Sequence, residues 1–112
     1  MEVTSLTSVA AFTTKDGSTI QELHHTALQS LAQATLDSGQ TTQRHYHRRS
    51  EEIYFVLEGE AEMELEGDRR MLAVGDAVLI PPGAWHEIRA IGRIRFLCCC
   101  APPYAHEDTY FE

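Results

Sequence analysis

Short runs of alternating apolar and polar residues, cut again and again by glycine or proline, leave this chain few folds. Ala61, Met63 and Leu65 alternate with Glu60, Glu62, Glu64 and Glu66, which predicts a strand with one face in water and the four glutamates as a solvated acidic edge. Glu52 to Leu57 is β-forming by composition. Ala77 to Ile80 is a short apolar strand stopped by Pro81-Pro82-Gly83, since proline cannot extend a ladder. Ala84 to Ala90 and Arg93 to Cys100 follow as strands. In the latter Arg93 and Arg95 mark the outward face, so Ile94, Phe96, Cys98 and Cys100 should point inward. Upstream, Ala27 to Leu36 and Thr41 to His47 read as strands, with Asp37-Ser38-Gly39-Gln40 as the turn between them. Gly67-Asp68 reads as a hairpin turn before Arg69 to Val74. Residues 3–14 suit an edge strand or an ordered arm. Ser18 and Gln21 have capping-box spacing, so a short helix competes with a strand over Ser18 to His24. Strands at roughly eight-to-twelve-residue spacing with such turns predict an antiparallel sandwich or barrel in which helix is a minor part.

A chain of 112 residues suffices for one domain with a core. The expected division is an arm or edge strand over 1–26, a barrel core over 27–101 and a tail over 102–112, with Tyr104, Tyr110 and Phe111 available for docking. The formal net charge of −8 argues against nucleic acid or an anionic membrane as main partner. No apolar run approaches the roughly 20 residues that span a bilayer, and the first residues lack a signal-peptide pattern, so a cytoplasmic location is expected. Cys98-Cys99-Cys100 has neither disulfide nor C-x-x-C metal spacing and reads as three small buried hydrophobes.

The chemistry concentrates between Gly39 and Gly59. His45 and His47 are two apart, so on a strand both imidazoles leave one face, with Cα atoms roughly 6.5–7 Å apart. Arg48-Arg49-Ser50 reads as a turn, after which a hairpin returns a carboxylate beside the histidines. Glu51 and Glu52 both compete for that place. Strand parity with Tyr54 and Val56 favours Glu52. His86, after the proline-rich turn, shares a face with Ala84 and Ile88. Gln43, two before His45, is a candidate ligand contact or a rim residue. Tyr54 is a candidate pocket hydroxyl or a core residue. Trp85 faces away from this group, toward packing or a dimer contact. Arg44, Arg48 and Arg49 read as solvated charges, and His24, His25 and His106 as ordinary surface or packing residues.

These spacings resemble the cupin superfamily, in particular its small RmlC-like members. Gly39, His45, His47, Glu52 and Gly59 fit the first motif of that family, with four residues before the glutamate. Gly75, Pro81, Gly83 and His86 fit the second, with Ala90 where asparagine is usual. The resemblance implies an all-β double-sheet jelly-roll barrel with at most one short helix. It implies His45, His47, Glu52 and His86 as ligands of one divalent transition metal, and commonly a homodimer. Three imidazoles and a carboxylate suit Mn, Fe, Ni, Zn or Co over Ca or Mg. Fold membership alone leaves the reaction undetermined. The leading expectation is a metal-dependent enzyme, of dioxygenase type or of sugar or keto-acid isomerase type, acting on a small polar molecule. A non-catalytic module that binds a metal or small ligand is the alternative, favoured by the mostly apolar inward residues. A structural dimer with a vestigial site is the third reading.

Overall fold

A computed structural model describes residues 1–112. Eleven strands alternate with tight turns: β1 (Phe12–Thr13), β2 (Thr19–His25), β3 (Ser30–Leu36), β4 (His45–His47), β5 (Glu51–Glu58), β6 (Ala61–Leu65), β7 (Asp68–Leu72), β8 (Ala77–Ile80), β9 (His86–Ala90), β10 (Ile94–Ala101) and β11 (Thr109–Phe111). The only helical turn is a single 3-10 turn, His106–Asp108. No helix is long and apolar enough to cross a membrane.

The strands form two sheets that face each other without closing into a continuous barrel. One sheet runs β1-β2-β3-β10-β5-β8 and the other β11-β4-β9-β6-β7, and every pairing is antiparallel. This is the antiparallel all-β arrangement that the spacing and turn chemistry predict, in the double-sheet jelly-roll form that the family resemblance implies. Inward residues from both sheets interdigitate: Leu36, Val56, Ile80 and Phe96 from the first meet Met63 and Ile88 from the second. Burying each large side chain contributes about 1.5–3 kcal/mol. The outward residues of β5 and β8 are also apolar, with Ile53, Phe55 and Leu79 all exposed.

Several local expectations are revised. Ser18 to Gln21 does not start a helix. The Ser18 hydroxyl donates to Asp16 Oδ1 at 2.6 Å, closing a turn that feeds strand β2 instead. The strand expected from Thr41 to His47 narrows to His45–His47, with Thr41 making only an isolated bridge to Arg89. The β6–β7 hairpin turns on Glu66-Gly67, not Gly67-Asp68. Both residues have positive φ, 50° and 86°, as a type I′ turn requires. Glu66 tolerates this because its backbone N–H donates to the Trp85 carbonyl at 2.9 Å and its carboxylate accepts the Trp85 N–H at 2.7 Å. The acidic edge is interrupted as well: Glu64 is buried, held at 2.9 Å by Arg44, whose guanidinium lies over the Trp85 ring. Arg44 is therefore not a solvated charge. Cys99 faces out and is exposed, so the three cysteines are not all buried.

The segments expected as arm and tail both supply strands. β2 extends the six-stranded sheet, and β11 pairs with β4 so that Thr109 lies opposite His47 and Phe111 opposite His45. Asp108, just before β11, is buried and accepts the backbone N–H groups of Arg49 and Ser50 at 3.0–3.2 Å. Burial pushes its carboxyl up, but those N–H groups and the nearby Arg49 guanidinium outweigh it and hold the group below the ordinary aspartate value. A carboxyl depressed in the folded chain stabilises above the unfolded pKa of about 3.9, and that contribution is lost as pH falls through the folded value. Asp108→Asn should therefore cost about 1–3 kcal/mol at neutral pH. Urea unfolding repeated down to acid pH should show the difference from wild type disappearing below the folded value.

Candidate metal centre

Three local devices bring the site together. In the five-stranded sheet His45 pairs directly with His86, and His47 follows on the same face of β4. The Pro81-Pro82-Gly83-Ala84 turn is tied to β4 by the Gly83 N–H, which donates to the His47 carbonyl at 2.7 Å. From the opposite sheet, Glu52 points in at the start of β5, beside Cys100 of β10. Glu51, its neighbour, is exposed. His45, His47, His86 and Glu52 are all buried, His86 completely. The ligating nitrogens of the three histidines fall within 4.8 Å of one another. Nε2 of His47 and of His86 lie 3.2 and 3.5 Å from Glu52 Oε1.

The hydrogen-bond network assigns the tautomers. His45 Nδ1 faces the Gln43 carbonyl at 2.7 Å, and His86 Nδ1 faces the Ala84 carbonyl at 2.9 Å. A carbonyl only accepts, so both Nδ1 atoms carry the proton. Thr109 Oγ1 donates to the Ala105 carbonyl and so accepts from His47 Nδ1 at 3.1 Å. Each Nε2 thus presents a lone pair, and those of His47 and His86 face a carboxylate oxygen that is itself an acceptor. Glu52 Oε1 and His86 Nε2 are buried with no hydrogen-bond partner. Buried acceptors converging with no donor between them are costly as they stand, and a cation relieves them. The residues present therefore fit a bound metal ion.

The electrostatics agree. Burial, then the neighbouring His86 and His47, lower the His45 pKa to about 4, against the Gln43 carbonyl, which raises it. His45 is thus neutral at physiological pH, as a ligand must be. Burial first, then Glu52, pushes the Cys100 thiol up, so it stays protonated and donates to Glu52 Oε2 at 3.2 Å. That bond leaves Oε1 as the free oxygen facing the histidines.

Beside the cluster lies a cavity of about 60 Å³ between the sheets, lined by Tyr54, Phe96, Cys98, Tyr104 and Phe111 among others. On the same measure one water needs about 10–15 Å³, so several waters or a compact ligand fit. Tyr54 is buried there, its ring 6.0 Å from His86 and 4.7 Å from Phe96. Gln43 is not part of this pocket. Its side chain is exposed and reaches the Glu112 carbonyl at 3.3 Å, because β4 begins only at His45 and the chain before it leaves the strand's alternation. Its contribution is the carbonyl that orients His45. Trp85 faces outward as expected, packed against Tyr46, which stacks on Tyr110.

Residues invisible to motif reading also face the cavity. Asp16 lines it from the N-terminal turn. Asp16 Oδ1 is occupied by the hydroxyls of Thr14 and Ser18 and the Ser18 N–H, while Oδ2 has no protein partner. Lys15-Asp16-Gly17-Ser18 has the composition of a turn, but nothing local indicates which end of the molecule such a turn covers.

The family described as the Cupin domain matches residues 32–100 of the chain. The chain belongs to the cupin family. An uncharacterised protein of Methanocaldococcus jannaschii is 42% identical to this cupin over 95% of the chain and 90% of its own length. Among solved structures, KdgF from a Halomonas species superposes with a TM-score of 0.86 at 23% identity, covering 96% of this chain and 97% of its own. Streptomyces Pac13, described as a nucleoside dehydratase and solved with uridine, superposes at 0.84 with 17% identity over 99% and 89% of the two chains. At such identities these two likenesses speak for the fold alone.

Proposed function

We propose that this cupin binds one divalent transition metal (Mn, Fe, Ni or Zn) through His45, His47, Glu52 and His86, and acts as an enzyme on a small molecule in the adjoining cavity. The observation that carries this reading is the convergence of three imidazole lone pairs and Glu52 Oε1, two of these atoms buried without a partner. Such a metal, when bound, supplies a Lewis acid that polarises a carbonyl or hydroxyl oxygen. The protein's own groups supply the rest. Cys100 orients Glu52, while Tyr104 and Phe111 pack against His47 and His45 and shield them from water. Asp16, which lines the cavity with Oδ2 free of any protein donor, would take a proton from a carbon next to a carbonyl and return it to the neighbouring atom. A free carboxylate beside the cavity serves the proton transfer that isomerase-type chemistry requires and that non-catalytic binding does not. The likeness to Pac13 supports the reading that a sheet pair of this shape can hold and transform a small organic molecule.

The test starts from protein purified without added metal. Elemental analysis should find about one equivalent of a transition metal. Interconversion of glyceraldehyde and dihydroxyacetone should depend on that metal and fall about 10²–10⁴-fold in Asp16→Asn. Retained metal with no turnover of this or related hydroxycarbonyl compounds would establish the binding-module alternative. Protein that holds no metal and gains no activity with added Mn, Fe, Ni or Zn would overturn the proposal.

A further inference from the structure

We infer that the cavity selects an uncharged, hydroxyl-bearing carbonyl compound, such as a small sugar, and rejects carboxylates and phosphates. This rests on the metal-centre reading above. Three charged side chains besides the histidines line the cavity, Asp16, Glu22 and Glu52, and all are acidic. The chain has nine lysines and arginines, yet none lines it. The arginines nearest in sequence to the ligands are engaged elsewhere, Arg44 with Glu64 and Arg49 with Asp108, while Lys15 and Arg48 are exposed outside the lining. A divalent ion brings two positive charges against three carboxylates, so the loaded site keeps a net negative charge. An anionic ligand would enter against that potential, and no guanidinium fork or ammonium is there to hold it.

The free polar atoms suit hydroxyl groups. Asp16 Oδ2 lacks a protein donor, so a ligand hydroxyl can supply one. Thr42 Oγ1 accepts the Ile88 N–H at 3.1 Å and keeps its own proton to give to a ligand oxygen. Phe12, Ile20 and Phe111 offer apolar surface for the C–H side of such a molecule. Acceptors for hydroxyls on one wall and apolar contacts on another match a neutral hydroxycarbonyl compound. Of the two isomerase branches that the metal site admits, the sugar branch fits this lining and the keto-acid branch does not.

The experiment titrates the full chain, Zn-loaded and metal-free, with hydroxyacetone, pyruvate, inorganic phosphate and ethanolamine, following side-chain NMR shifts of cavity residues. Hydroxyacetone should bind the Zn-loaded protein at least about tenfold more tightly than pyruvate or phosphate. In Asp16→Asn/Glu22→Gln, which removes two charges while keeping size, pyruvate affinity should rise several-fold with metal content unchanged. If neither hydroxyacetone nor pyruvate binds the wild type, gain of pyruvate binding in the double variant supports the inference and its absence overturns it. Pyruvate or phosphate binding the wild type as tightly as hydroxyacetone, or an unchanged ratio in the variant, overturns it. Ethanolamine binding more tightly than hydroxyacetone overturns the uncharged assignment. Failure of the metal reading is seen separately, as protein that takes up no Zn. The metal-free cavity, with three carboxylates and no cation, should then reject pyruvate still more strongly.

Discussion

Metal-free protein titrated with Zn(II) or Mn(II) should unfold about 10–20 °C higher once the ion is at a hundred times its dissociation constant. A ligand that binds only the folded state stabilises it by about 2.7 kcal/mol at that excess. For a domain near this size each kcal/mol is worth about 4–8 °C. The folded chain is the only form that brings β4, β5 and β9 together, so the ion has little affinity for the unfolded chain. His86→Ala should abolish the shift, because it removes one of the two atoms left without a partner. The metal-free variant should not lose the ion-pair stability expected of an ordinary buried pair, since no hydrogen bond joins His86 to Glu52. Differential scanning calorimetry with and without each ion measures both effects, and melting temperatures unmoved by any of the four candidate metals would sink the assignment.

Gly59→Ala should destabilise the fold by about 2–5 kcal/mol, a large share of the roughly 5–15 kcal/mol that holds a domain together. Gly59 has φ +87°, where a β-carbon is strained by about 1–2 kcal/mol. A β-carbon there would also overlap the backbone carbonyl of Arg93, which cannot swing away because β10 follows at Ile94. The control is Gly67→Ala. Gly67 has φ +86° but nothing within 4 Å of its would-be β-carbon, so only the conformational strain, about 1–2 kcal/mol, applies. Urea denaturation of both variants tests the contrast, and equal losses would show that the Arg93 contact is relieved by local movement.

The metal-site residues were legible because their constraints are local. A period of two puts His45 and His47 on one face, the turn at Arg48 to Ser50 brings Glu52 back, and the proline-rich turn sets the start of β9 at His86. Parity separated Glu52 from Glu51, and the structure buries the first and exposes the second. What was not legible depends on contacts between distant segments. Glu64 has the alternation of a solvated residue, and only Arg44, twenty residues upstream, encloses it. Asp16, Thr109 and Phe111 reach the cavity because β2 and β11 dock on the two sheets, and no period within either segment announces that. Of the two readings open to Gln43, a ligand contact or a rim position, its exposed amide fits the second, because β4 and its alternation begin only at His45.

Two of the three imidazoles are oriented by main-chain carbonyls only two residues before them, Gln43 for His45 and Ala84 for His86. Such a bond survives replacement of the side chain that carries the carbonyl. The metal centre is thus buffered against mutation at those positions, while the walls contributed by the N-terminal turn and β11 are free to drift. Divergence in a lineage of such chains would be expected to collect in those walls, changing which molecule is admitted long before it disturbed the ion.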